Sequence, residues 1–351
     1  MPIEKINQSK PFEWSRTLPR NLVESDRWLF ENAVNISCNG TSILIGKDIL
    51  VDLLVGIAVD RLTTIEESLI CPGYYPTSFP YFKNIKFACR SWLRFALSPC
   101  YITSYPCLLI HDAACNNYGH WMTDAVSRLY YAKELISSHK LILPMIFRKQ
   151  KYKLESLIPF GVKEENIVYI ENRVILAKDF AMPSFMGPMF VNPKDEIVRE
   201  IREVYHKFYN ISRSRPGKRI YISRAGMSYR KVINESQVIE LLNNKGFSVV
   251  YPEKLSFQEQ VRLFAAAEII VGLTGAAFNN MMFMNSGCPV IEFRLENDTT
   301  NLHYFSYASE HKLPYYYISC KGDRPDRTFA NFLVDMNLLD ATVEMALADI
   351  K

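Results

Sequence analysis

"IIVGLTGAAFNNMMFM", residues 269–284, sets Ile269, Ile270 and Val271 before a turn that holds Gly272 and Gly275, and an apolar run containing Asn279 and Asn280 follows directly. This order predicts a strand (269–272), a tight turn and a helix (276–285). The same alternation continues on both sides. Upstream stand a strand at 219–223 ("RIYIS"), a helix at 234–246, a strand at 247–252 and a helix at 256–268. Downstream stand strands at 289–293 ("PVIEF") and 315–319 ("YYYIS"), and "FLVDMNLLDATVEMALADI" forms a terminal helix. Strands separated by helical stretches predict an α/β fold whose parallel sheet is covered on both faces. Asn234 with Gln237, and Ser256 with Glu259, fit helix N-caps, and Gly246 fits the residue just past a helix end.

The first half carries a looser form of the pattern. "TSILIGKDILVDLLVGIAV" (41–59) reads as two strands around a Gly46-Lys47 turn. Further strands are expected at 107–113 ("CLLIHDA"), 141–147 and 166–170, with helices over about 118–138 and 150–159. Residues 71–84 hold three prolines and read as an irregular loop. "KDEIVREIREVYHKFYN" (194–210) is an amphipathic helix with Ile197, Ile201, Val204 and Phe208 on its apolar face, and "ISRSRPGKR" (211–219) is a basic linker. Residues 1–40 show no pattern that places them. The expected organisation is an N-terminal α/β domain over 1–190, a connecting helix and linker over 191–217, a second α/β domain over 218–335 and a terminal helix over 336–351.

A chain of 351 residues, 48% hydrophobic, is too long for one typical core, which agrees with two domains. Its net charge of +4 is small for that size and argues against nucleic acid as a partner. The eight cysteines include no Cys-x-x-Cys pair and read as reduced, buried thiols of an intracellular protein. The N-terminus lacks an apolar signal core, and no run reaches about 18 apolar residues, so a cytoplasmic location is expected.

Three stretches carry candidate chemistry. In "NNYGHWMTDAVSRL", His120 and Asp124 stand four apart on one helix face, just beyond the strand expected at 107–113. Ligands collect at that edge of an open parallel sheet, so the pair suits a general base; a surface pair or a cap would show the same spacing. No Asp-x-Asp and no further ligand at metal-site spacing occurs, and no metal is expected. In "KRIYISRAGMSYRKVINE", Arg224 ends a strand and Arg230 follows in the next loop. Two guanidinium forks suit a diphosphate, or acidic side chains. In the opening stretch, backbone N–H groups after Gly275 can point at an anion. Its glycines read G-x-x-G, not G-x-G-x-x-G, which makes it a weak dinucleotide fingerprint. Glu292 lies 17 residues past Gly275, at the end of the next strand, placed to accept from ribose hydroxyls or to cap a helix.

Together and in this order, "NYGHWMTDAVSRL", "YISRAGMSYRKVINE", "LSFQEQVRLFAAAEIIVG", "TGAAFNNMMF" and "VIEF" resemble glycosyltransferase family 61. In two places the chain departs from the family pattern: Thr274 stands for its usual histidine and Ala277 for its second glycine. The resemblance implies a GT-B architecture, two Rossmann-like domains facing across a cleft, and an inverting, metal-independent glycosyltransferase with no cofactor. The donor would be a nucleotide sugar, expected as a UDP-sugar, bound by Arg224, Arg230, Thr274, Gly275, Ala276, Asn280 and Glu292. The acceptor would be a glycan or glycolipid hydroxyl, deprotonated by Asp124, with His120 orienting it or acting in its place. Surface polysaccharide or lipopolysaccharide assembly is the pathway such an enzyme would serve, with a membrane surface as a further candidate partner. The alternatives are an NAD(P)-dependent oxidoreductase and a non-catalytic carbohydrate-binding relative.

Overall fold

A computed structural model describes residues 3–7, 10–38, 40–68, 85–97, 101–184, 197–211, 216–326 and 328–350. The chain is α/β and divides into two compact units, one of Met1–Phe12 and Cys38–Phe190, the other of Glu13–Ser37 and Val191–Lys351. The loop expected at 71–84 and the centre of the linker at 212–215 lie outside the described residues.

The sheet of the first unit is mixed, where a parallel one was expected. Its strands run in the order Thr63–Thr64, Ile57–Asp60, Ser42–Asp52, Val174–Pro183, Pro106–Leu108, Lys140–Pro144, Ile167–Ile170. Pairing is antiparallel across the first four and parallel across the last four. Val174–Pro183 makes the difference. It runs antiparallel along Ser42–Asp52 and parallel beside Pro106–Leu108, so it joins the two kinds of pairing.

Gly46 and Lys47 do not turn the chain. They lie within the single strand Ser42–Asp52, held straight by pairing with Phe180 and Asp179. Asp48 takes the left-handed φ of 56° there, and its carboxylate accepts from Lys178 at 2.6 Å. The turn comes instead at Leu53–Gly56, where Gly56 has φ 61° and a Cβ would collide with the His111 carbonyl. The strand expected over 107–113 is limited to Pro106–Leu108, because Asp112 accepts from the Ala114 amide at 2.9 Å and folds the chain into a turn. The strand expected over 141–147 ends at Pro144, with a 3-10 turn over Met145–Lys149.

The second unit carries five parallel strands in the spatial order Phe247–Val250, Lys218–Ile222, Ala267–Leu273, Val290–Leu295, Tyr315–Gly322, with the short Phe332–Leu333 antiparallel at the edge. In chain order this reads 2-1-3-4-5, so the winding reverses between Lys218–Ile222 and Ala267–Leu273. Apolar residues from the sheet, Tyr221, Val271, Ile291, Phe293 and Ile318, pack with Leu339, Val343 and Ala346 of the terminal helix Met336–Ala348.

Ser256 and Glu259 form the expected capping box on helix Phe257–Ala265, and Gly246 follows helix Glu235–Asn244 at φ 81°. Asn234 stands at the N-cap of that helix, but its side chain makes no cap bond. Its amide instead holds Val334, donating to the carbonyl at 2.9 Å and accepting from the N–H at 3.0 Å. Helix Ile197–Phe208 buries Ile197, Ile201 and Tyr205, whereas Phe208 is exposed, so the apolar face is rotated from the expected one. The reason is polar docking. Arg202 donates to the Met284 carbonyl at 2.5 Å and His206 to that of Phe283 at 2.8 Å, which turns this side of the helix inward. Among the described cysteines, Cys107, Cys115 and Cys320 are buried and free, but Cys89 is exposed.

Candidate functional site

In the first unit the candidate residues are built on the helix that starts at Tyr118. Asn117 caps it, accepting from the Gly119 amide at 2.7 Å, and the next five residues, Trp121–Ala125, are wound as a π-turn. Such turns are uncommon and concentrate at functional positions. His120 and Asp124 meet on one face, with Nδ1 and Oδ2 2.9 Å apart. The Asp124 carboxylate accepts a second bond from the Thr123 hydroxyl at 2.7 Å and is 1% exposed, whereas the His120 side chain is 33% exposed. Burial alone would lower the His120 pKa. The Asp124 hydrogen bond and the charges of Asp124 and Asp112 outweigh it, and the net shift is upward from 6.5. A buried carboxylate thus holds Nδ1 of a partly exposed imidazole.

Beneath the pair lies a buried polar core. Asp112, Cys115 and Asp124 bring potential ligand atoms within 4.8 Å of one another. Arg128 stands 3.6 Å from Asp112, and Lys153 donates to the Cys115 carbonyl while its ammonium lies over the Trp121 and Phe147 rings. Burial holds the Cys115 thiol protonated, well above its usual pKa. Arg128 offsets part of the carboxylate charge there, and burial lowers the Lys153 pKa to about 7.

In the second unit the candidate residues gather where the strand order reverses, the place where open α/β sheets bind ligands. Ser223 and Arg224 follow one of the two strands there, and Thr274 and Gly275 follow the other. Arg224 Nε donates to the Arg230 carbonyl at 3.0 Å, and Arg230 itself takes a left-handed φ of 54°. Both guanidiniums are half-buried, and among the described residues neither has a carboxylate partner. Burial and the charge of Arg230 push the Arg224 pKa down. Two cations held together, with no carboxylate at ion-pair distance among the described residues and Glu253 acting on Arg224 only from further away, favour an anion between them. Gly275 is extended at φ 168°, and the first bond of the following 3-10 helix, Phe278 N–H to Gly275 C=O at 2.8 Å, leaves the amides of the preceding residues outside the helix ladder.

Residues 118–291 match the family described as Glycosyltransferase 61. The chain belongs to glycosyltransferase family 61. No curated protein matches it. The matched span begins at the helix of His120 and ends one residue before Glu292, so the family signature takes in the helix pair, both arginines and the glycine turn.

The remaining expected residues of this family 61 chain are less open. Thr274 is 5% exposed and accepts from the Asn301 amide at 2.8 Å. Glu292 is fully buried, with Tyr315 donating to it at 2.5 Å and Arg294 3.6 Å away. Burial raises its pKa, against the opposing effects of Arg294, Tyr315 and Thr274. Asn280 is also fully buried and donates to Gln260 at 3.0 Å, while its neighbour Asn279 faces the turn and donates to the Ala276 carbonyl at 3.0 Å. Sequence reasoning missed the helix His303–Glu310, whose start borders this turn. His303 Nε2 lies 2.9 Å from Asn279 Oδ1, and the charges of Arg224 and Arg230 act on the Tyr304 hydroxyl. "NLHYF" (301–305) was the available signal: two polar side chains directly before an apolar helical run.

Proposed function

We propose that this family 61 member is an inverting, metal-independent glycosyltransferase of GT-B architecture that moves a sugar from a nucleotide-sugar donor to a hydroxyl of a glycan or glycolipid. A UDP-sugar donor, a cytoplasmic location and a role in surface polysaccharide assembly complete the reading. The observation that carries it is the pair Arg224 and Arg230, half-buried and without carboxylate partners, beside the Gly275 turn at the reversal of strand order. That arrangement suits the charge a nucleoside diphosphate gains as it leaves.

His120 serves as the base in this reading. Asp124 fixes Nδ1–H, so Nε2 accepts the proton of the acceptor hydroxyl as its oxygen attacks the anomeric carbon. The bond from that carbon to the diphosphate breaks on the opposite side, and its electron pair leaves with the diphosphate, whose charge Arg224 and Arg230 offset. Asp124 is too deeply enclosed to meet an acceptor itself and acts through His120. Glu292, equally enclosed, acts by holding Thr274 and Tyr315.

Thermal denaturation with UDP-, GDP- and CMP-sugars alongside NAD(H) and NADP(H) tests the proposal. Stabilisation by a nucleotide sugar, lost in Arg224→Ala, is expected. Stabilisation by the dinucleotides alone would replace it with an oxidoreductase, and sugar-nucleotide binding without transfer or hydrolysis would mark a non-catalytic relative.

A further inference from the structure

The segment Asn301–His303 touches the donor turn at two points. Asn301 Nδ2 donates to Thr274 Oγ1 at 2.8 Å. At the other end, Asn279 Nδ2 donates to the Ala276 carbonyl at 3.0 Å, so its Oδ1 is an acceptor, and the His303 Nε2 that lies 2.9 Å away must carry the proton. Thr274, Gly275 and Ala276 are therefore held at both ends by side chains from one short stretch. That stretch is itself anchored. The buried Arg294 donates to the carbonyls of Asn301 at 2.6 Å and Asp298 at 2.8 Å. The Thr274 hydroxyl, which accepts from Asn301, also stabilises the Glu292 carboxylate, and Arg294 closes the circuit 3.6 Å from Glu292.

This circuit leaves the Thr274 side chain facing inward, with its hydroxyl engaged on both sides. Residue 274 is thus a structural anchor for the turn. We propose that Asn301 and His303 are positioning residues of the donor turn, fixing Thr274 and, through Asn279, Ala276, so that the amides after Gly275 present a set anion-binding geometry. The inference rests on the nucleotide-sugar reading above. It concerns a segment beyond the family-matched span 118–291.

Isothermal titration of the full chain with UDP, GDP and CMP, and with the nucleoside of whichever binds, separates the outcomes. His303→Ala should weaken nucleotide binding about tenfold, the effect of one lost hydrogen bond in a positioning chain, and change nucleoside binding less than about twofold. His303→Gln, whose amide can still donate to Asn279, should recover most of the loss, and Asn279→Ala should reproduce it. Equal loss for nucleotide and nucleoside, or no loss in His303→Ala with an unchanged circular dichroism spectrum, would overturn the positioning role alone. Failure of the wild-type chain to bind any of the three nucleotides would overturn the nucleotide-sugar reading and this inference together.

Discussion

The guanidinium of Arg224 occupies the space that a side chain on residue 275 would need. A Cβ built on Gly275 collides with Arg224 Nη1, and the backbone there, at φ 168°, would itself accept any residue. Glycine is required at this point by the neighbouring arginine and not by the turn.

Gly275→Ala should therefore fold, since the obstructing atom is the end of a flexible side chain. Its melting temperature should stay within about 3 °C of wild type, while displacement of one fork from the phosphates weakens nucleotide binding on the order of tenfold. Calorimetry and titration on the same preparation check both halves. A variant that binds as well as wild type would show that Arg224 does not contact the donor.

His120→Ala should lower the transfer rate by about 10²- to 10⁴-fold, the range of a lost general base, while leaving donor affinity within about twofold. The wild-type rate should rise with pH and level off above an inflection higher than 6.5, because only neutral His120 accepts a proton and Asp124 holds its pKa up. Asp124→Asn removes that charge, so a slower enzyme with its inflection moved to lower pH is expected. Rate–pH profiles of both variants distinguish this from a base at Asp124, which would leave no titrating residual activity in Asp124→Asn.

His111 predicts the acid behaviour of the first unit. It is fully buried, its Nε2–H donates to the Leu53 carbonyl at 2.8 Å, and burial lowers its pKa from 6.5 to about 4. Between those values the unfolded chain takes up a proton that the folded chain refuses. Stability present above pH 6.5 should thus decline as pH falls and be lost below about 4, by roughly 3 kcal/mol. Urea denaturation from pH 7 to 4 should show a shallower decline in His111→Gln than in wild type. His139, whose pKa burial also lowers, adds to the slope that remains in this unit.

Replacing Thr274 with the histidine usual in the family should not improve the enzyme. The site is 5% exposed and closed by Asn301 and Glu292, so an imidazole overpacks it at a cost of about 1–3 kcal/mol. A lower melting temperature and unchanged or weaker nucleotide binding are expected for Thr274→His. Tighter binding with unchanged stability would show that the position is open to the ligand.

What could be read in advance divides along local and distant causes. The His120–Asp124 face, the Ser256–Glu259 box and the glycine stop at 246 each depend on residues within a few positions of one another, and local spacing makes them legible. Val174–Pro183 was hidden because its Lys178-Asp179 pair interrupts the apolar run, and only Asp48 and Lys47 on the adjacent strand explain the charges. Asn234 carries every mark of a cap, yet its side chain serves Val334, a hundred residues away. The depth of Glu292 and Asn280 was equally beyond the pattern, since their partners Tyr315, Arg294 and Gln260 stand on other elements. The residue types of the candidate site were evident, but which of them face outward was set by packing.

The placement of Glu13–Ser37 has a bearing on how the chain matures during synthesis. Asn21 pairs with Tyr317, 296 positions later, and Arg16 sits 3.7 Å from the enclosed Glu310. This early stretch leaves the ribosome long before its partners exist. Until the last strands emerge, Phe30 and its neighbours have no Phe305 or Tyr317 ring to rest on. The first unit can complete its sheet while translation continues, but the second needs both Glu13–Ser37 and the strands after Val191. Deleting Glu13–Ser37 or the strand Tyr315–Gly322 should therefore damage the same half of the molecule.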